Sequence, residues 1–386
     1  MDYIFNKDHK LTPSYLQKKF YKINYSLSKE AVNYWAVLPN FVEQFSTLEK
    51  DVERLGVKLI GQYVSKNETF LDVEVFYEHL DYDINPSDWL LRKVVKLKET
   101  VLAENEVKDK STGIYNDLLT YKETDGADKF ISRITVKKNF DMQLGGANYM
   151  ALRVMCREEE YNNLADMMLH TAYNWDFKDK GTWQLAERII PLTIPLYNNT
   201  ISFYTFESWK VYGEDVKPLT RLILHQTDNS DNKGAINIIE TKPLNKDNVK
   251  DVFDAFINRV TLTSIELDEL KEVTKSILNP KITHAWTTQG LIKNADEQFE
   301  GYVIAYLIQT EKSGYYIESI SSSPNFENYN WEINKRQVEM ILNSFNNPSF
   351  EQEQKKEAIE QIIITPNINK GGDEKSDFKK SSIFFK

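Results

Sequence analysis

The side chains most able to bind a metal or move protons in this chain are five histidines, His9, His79, His170, His225 and His284, scattered over 386 residues. None has a second histidine four positions away, the spacing that sets two imidazoles on one helix face for zinc. Ser-His-Asp chemistry lacks a Gly-x-Ser-x-Gly elbow to present its nucleophile. The lone Cys156 shares strand parity with Met150, Leu152 and Val154, which reads as a buried structural thiol. Glu158, Glu159 and Glu160 form a carboxylate run, but between a strand and Tyr161-Asn162-Asn163 they read as a solvated turn. Gly145-Gly146 and Gly371-Gly372 lack the Lys-Ser/Thr of a phosphate loop and read as turn glycines. No catalytic residue, metal ligand or cofactor is therefore expected, and the pattern points to binding rather than to an enzyme.

Composition narrows the partner. A formal charge of -10 repels phosphate backbones, and no Lys/Arg block with interleaved aromatics offsets it, so nucleic acid is not expected. Hydrophobic content of 41% with 12% aromatics is globular. Met1 to Asp8 show neither the apolar core nor the cleavage site of a signal peptide. Runs such as 189–197 and 302–308 are far shorter than the roughly 20 residues a membrane helix needs. Three Asn-x-Ser/Thr sequons, at Asn24, Asn67 and Asn198, then carry no glycosylation meaning. The expected setting is the cytoplasm of the producing cell, with protein as the partner.

The elements that would position a binding surface occur twice. Phe70 to Tyr77 alternates like a strand, and Pro86-Ser87-Asp88-Trp89-Leu90-Leu91 then opens a helix, with Ser87 as its expected N-cap. In the second copy Gly234 to Ile239 precedes a helix through Val249, Val252, Phe253 and Phe256. Further strands are expected at 35–39, 57–64 with a bulge at Gly61, 130–137, 149–157, 200–206, 220–226, 284–292, 301–309 and 314–320. Helices are expected at 87–103, 184–190, 265–278 and through Val338 to Phe345, with the polar stretch 104–111 as a break. Many consecutive strands with few helices define an α+β class with antiparallel pairing. The expected division is a lead-in at 1–32, a first unit at 33–180, a second at 181–345 and a polar tail at 346–386. That tail ends in Ile383, Phe384 and Phe385, an apolar triplet suited to docking on a partner.

Along Tyr302 to Ile308 both strand faces are apolar, and the even row Tyr302, Ile304, Tyr306 and Ile308 is the bulkier. Such a row is either covered core or an open groove for a partner segment, and it is the candidate partner-binding surface.

The order of elements resembles the Mog1/PsbP-like fold in its DcrB-like branch, here as a tandem over residues 33–345. The resemblance rests on the early strand with Leu38-Pro39, the strand-then-helix step at 70–100 and 234–260, and Gly314 to Ile320 before a final helix through Val338 and Phe345. It implies a non-enzymatic chaperone or adaptor for an effector or spike-tip component of a type VI secretion system. Length, Asn/Lys-rich composition and the absent signal are also similar to a component of a divergent type VI system on a pathogenicity island. That similarity implies export by the type VI route as a virulence effector as the alternative role. An enzyme using scattered carboxylates is the third reading.

Overall fold

A computed structural model describes residues 3–8, 10–26, 30–46, 48–109, 113–179, 185–196, 198–212, 221–228, 231–257, 264–274, 279–293, 300–322 and 329–347. Helix α1 (Pro13–Lys19) starts where the Thr12 side chain accepts from the Tyr15 N–H and Pro13 fills the first position. It leads into β1 (Phe20–Tyr25), which pairs antiparallel with β2 (Tyr34–Pro39). Strands β3 (Val42–Ser46), β4 (Lys50–Val52), β5 (Val57–Ser65) and β6 (Leu71–Leu80) precede α2 (Pro86–Lys96). After it come β7 (Thr100–Asp109), β8 (Gly113–Glu123), β9 (Lys129–Phe140), β10 (Ala147–Arg157), α3 (Tyr161–Tyr173) and β11 (Trp175–Phe177). The main sheet has the order β3-β5-β6-β10-β9-β8-β7, with β4 also on β5, while β11 joins β2 and β1 in a small sheet.

The second unit repeats this path. It holds β12 (Ile189–Pro195), β13 (Thr200–Phe206), β14 (Trp209–Tyr212), β15 (Arg221–Asp228), β16 (Asp231–Thr241) and α4 (Val249–Ile257). Then follow β17 (Ser264–Leu267), β18 (Lys271–Glu272), β19 (Ile282–Lys293), β20 (Glu300–Thr310), β21 (Gly314–Ser322) and α5 (Asn330–Ser344). Its main path, β14-β15-β16-β21-β20-β19-β17, maps strand for strand onto that of the first, while the short extra strands differ, β18 lying on β19, the counterpart of β8, and β4 on β5. The hairpin β12–β13 answers β1–β2, and after α5 the Asn346 N–H donates to Ser202 O of β13 much as β11 joins β2. The α+β class with two antiparallel units is therefore the observed architecture.

In each unit one helix covers each sheet face. α3 closes a core of Val73, Val75, Leu152, Val154 and Met168. On the opposite face Trp89, Leu90 and Val94 of α2 pack on Ile134, Val136 and Tyr149, and this core continues into Ile304, Ile308, Ile317 and Ile341 beneath α5. α4 covers the remaining face of the second sheet through Val252, Phe253 and Leu307.

Several expectations need correction. The lead-in is ordered, because β1 pairs β2 and residues 3–6 strap across α3: Ile4 N–H reaches Asn162 Oδ1, and Asn6 donates to Asp166. Ser87 is inside α2; Asn85 caps it with Pro86 at the first position, and no side-chain cap bond forms. That helix stops at Lys96, where Lys98 (φ 59°) turns the chain, and the polar stretch expected to break the pattern is edge strand β7. Of the helix expected at 184–190, residue 184 lies outside the described residues, 185–188 are irregular and 189–190 open β12, whose Pro191 and Pro195 are tolerated in a two-stranded hairpin. The described part of the helix expected at 265–278 holds β17 and β18, which pair with β19, and 275–278 lie outside the described residues. Pairing wins over propensity there because Gly290 lets the backbones close up: a Cβ at that position would sit 2.0 Å from Glu266 O.

The bulge expected at Gly61 is present, as the β5–β6 register shifts between Leu59 and Gly61. A Cβ at Gly61 would lie 2.2 Å from the Tyr34 hydroxyl, itself hydrogen-bonded to Tyr63 OH at 2.8 Å. Gly61→Ala is expected to cost about 1–3 kcal/mol in urea denaturation. Adding Tyr34→Phe, which removes the clashing oxygen, should recover part of that loss, so the double mutant falls short of additivity.

Candidate partner-binding face

The aromatic row of β20 is covered. Ile304 and Ile308 are buried in the shared core, Tyr302 meets the Trp331 ring of α5 edge-on at 4.4 Å, and half-buried Tyr306 packs against the same core. Of the groove and core readings, the row takes the core one, because α5 lies across it. Ile383, Phe384 and Phe385 lie outside the described residues.

The histidines are dispersed in space as well. His79 contacts Asn148 Oδ1 at 3.1 Å and Asp81 at 3.4 Å, His170 bonds Asn174, and His284 stacks on Trp286. His9 and the side chain of His225 lie outside the described residues. Cys156 is buried against Met168 Sδ at 3.4 Å, and burial pushes its thiol up. Glu158 and Glu160 are more than a solvated turn: Glu158 accepts from Tyr3 OH and Glu160 from the Phe70 N–H.

What the sequence did not foretell is a seam of buried charge between α2 and α5. Arg92 grips Glu332 with two bonds of 2.9 and 3.0 Å, both side chains almost fully buried. One turn earlier Asp88 pairs Lys335 at 2.8 Å, and Asn85 donates to Glu339 at 2.7 Å. Asp83 accepts from Lys138 and Arg336, each at 2.8 Å, and from the Ala186 N–H at 2.7 Å. Burial penalises the Asp83 charge, but Lys138 and Arg336 outweigh it and hold the carboxyl below the usual range. Lys93 is held by Glu78, Tyr329 OH and Leu55 O, each at 2.7 Å, although burial still lowers its pKa. The i, i+4 pair Asp88 and Arg92 matches oppositely charged Lys335 and Glu332, so the two helices have one register.

Beyond the C-terminal end of α2, several side chains on that face of the first sheet keep partial exposure. Three cross-strand rows run toward that end on the α2 face. The first, Gln62, Glu74, Arg153, Ile134 and Leu118, goes under the helix. The second is Val64, Asp72, Met155, Ser132 and Thr120. The third is Phe70, Arg157, Phe130 and Lys122. Ile134 and Leu118 are fully buried, whereas Val64, Met155, Phe70, Phe130 and Lys122 keep partial exposure and Arg157 is exposed. Phe70 and Phe130 lie 5.5 Å apart with the Arg157 guanidinium over Phe70.

Polar groups sit in the middle of this floor. Arg153 donates to Ser132 Oγ at 3.1 Å, to Glu74 at 3.0 Å and to Glu99, whose other oxygen accepts from Thr120. Asp72, 8% exposed, receives a long 3.4 Å bond from Gln62 on Oδ2, and its buried Oδ1 has no hydrogen-bond partner among the described residues. Burial, then Glu74, push its carboxyl up to about 6, against weaker pulls from Gln62, Arg153 and the Val73 N–H. In the sequence Asp72 and Glu74 looked like the solvent side of an alternating strand; only the partner strands reveal their enclosure.

No family model matches the chain. No curated protein matches it significantly. LpqN, involved in cell envelope biogenesis of Mycobacterium tuberculosis, aligns at 11% identity over 44% of this chain and 98% of its own, with a TM-score of 0.30. The apo immunity protein TplEi of the T6SS from Pseudomonas aeruginosa aligns at 12% identity over 84% and 96%, with a TM-score of 0.21. Both TM-scores are too low to assign a family or a function. No helix among the described residues is long and apolar enough to cross a membrane.

The seam gives a direct expectation. Arg92→Met or Glu332→Met alone leaves one buried charge unpaired and should cost about 3–5 kcal/mol in urea denaturation. The double substitution should cost less than either single one.

Proposed function

We propose that this chain is a non-enzymatic adaptor or chaperone that holds a protein partner on the open end of the first sheet. The partner in this reading is an effector or spike component of a type VI secretion system, met in the cytoplasm of the producing bacterium. The observation that carries the reading is the partly exposed floor of Val64, Phe70, Phe130 and Met155 beyond the C-terminal end of α2, with Phe70 and Phe130 5.5 Å apart. The secretion context is supported by the resemblance of the element order to the Mog1/PsbP-like chaperones, and by the similarity in length and composition to IglI. Both sheets are covered elsewhere by their own helices, which supports this face as the surface that an added segment would cover.

One observation favours an enzyme instead, the raised carboxyl of Asp72 beside Glu74. Acid–base catalysis needs a second available group, however, and Arg153 occupies both Glu74 and Glu99. Binding is the better reading.

Affinity purification of the full chain from its native cell, with identification of the co-purifying chain, tests this. The wild type and a Phe45→Ser control, altered at an exposed site on β3, should both retain a type VI component. Phe130→Ser should reduce it at least about tenfold while changing stability by about 1 kcal/mol. Equal capture by Phe130→Ser, or no secretion component at all, would overturn the reading.

A further inference from the structure

The partly exposed floor carries an acceptor that no described residue satisfies. Asp72 is more than nine-tenths buried, its Oδ1 has no hydrogen-bond partner, and its side chain stands in the row that faces the opening, between Val64 and Met155. The nearest cation, Arg153, already serves Glu74, Glu99 and Ser132. Lys122 and Arg157 stand in the outer row, with Arg157 drawn over Phe70. Among the described residues no group of acidic and histidine side chains here is arranged to hold a metal ion.

A segment laid over Phe70, Phe130 and Met155 would strip the remaining water from Asp72. A carboxylate so enclosed keeps its charge only against a cation with hydrogen-bond donors. We infer that the partner segment inserts a lysine or arginine side chain, flanked by apolar residues, whose donors pair with the Asp72 carboxyl at the centre of this face. The inference rests on the partner-binding reading above and names the chemistry of the bound segment. The apolar flanks cover the phenylalanines, and the single cation sets the register of the segment along the rows. A guanidinium suits the site well, because it stacks on an aromatic ring while donating in its own plane.

The test uses the full chain and a fluorescein-labelled heptapeptide with one central arginine among leucines, beside a twin carrying citrulline, which is neutral and nearly isosteric. The arginine peptide should bind the wild type about 30-fold more tightly than the citrulline twin, as read by fluorescence anisotropy. Asp72→Asn should abolish that preference while melting at the same temperature or higher, since it removes an unpaired buried charge. Equal binding of the two peptides to the wild type, absence of binding, or an unchanged preference in Asp72→Asn would overturn the inference. The citrulline comparison on the wild type is independent of how the variant folds. Because the assay contains no secretion component, its failure removes the cation site without touching the co-purification result.

Discussion

A charge taken out of water must find its opposite, and between α2 and α5 this chain buries a whole row of them. Arg92, Asp88 and Asp83 on one side meet Glu332, Lys335 and Arg336 on the other, with Lys138 beneath. Such pairs add little net stability compared with well-packed apolar residues, but sliding the helices by one turn would leave several charges unpaired at once. The seam therefore fixes how the two units meet. It also explains why the shared core is continuous: the apolar side chains of α2 lie on their own sheet, while its charged side is spent on α5. Two copies of one strand order are thereby placed in different surroundings, and Val64, Phe70, Phe130 and Met155 at one end of the first sheet keep partial exposure.

Much of this was legible in the chain. The alternation of Leu71, Val73 and Val75, the helical spacing of Trp89, Leu90 and Val94, and the same step in the second copy gave the class and the duplication. Elements failed where tertiary pairing overrode local pattern. β7 is too polar to read as a strand, yet it pairs with β8 along its length. β17 carries apolar residues compatible with a helix, but the glycine opposite it in β19 draws it into the sheet. β1 has no period of its own and is held by β2.

The candidate site was less legible for a related reason. A row of apolar residues such as Tyr302, Ile304, Tyr306 and Ile308 is the same in sequence whether a helix covers it or not, and α5 covers it. Conversely, Asp72 and Glu74 carry the ordinary signature of solvent-facing positions. Their enclosure arises from Met155, Ser132 and Thr120 on strands far away in sequence. The Arg92 to Glu332 contact spans 240 residues, and nothing local to either residue announces it.

Site-specific photocrosslinking in the native cell tests the central claim, that the open end of the first sheet is where a partner sits. A benzoyl-phenylalanine at position 130 should crosslink one identified protein, while the same group at position 142 or 144, both exposed apolar sites in the turn between β9 and β10, should not. Crosslinking of that protein at 142 or 144 but not at 130 would contradict the account.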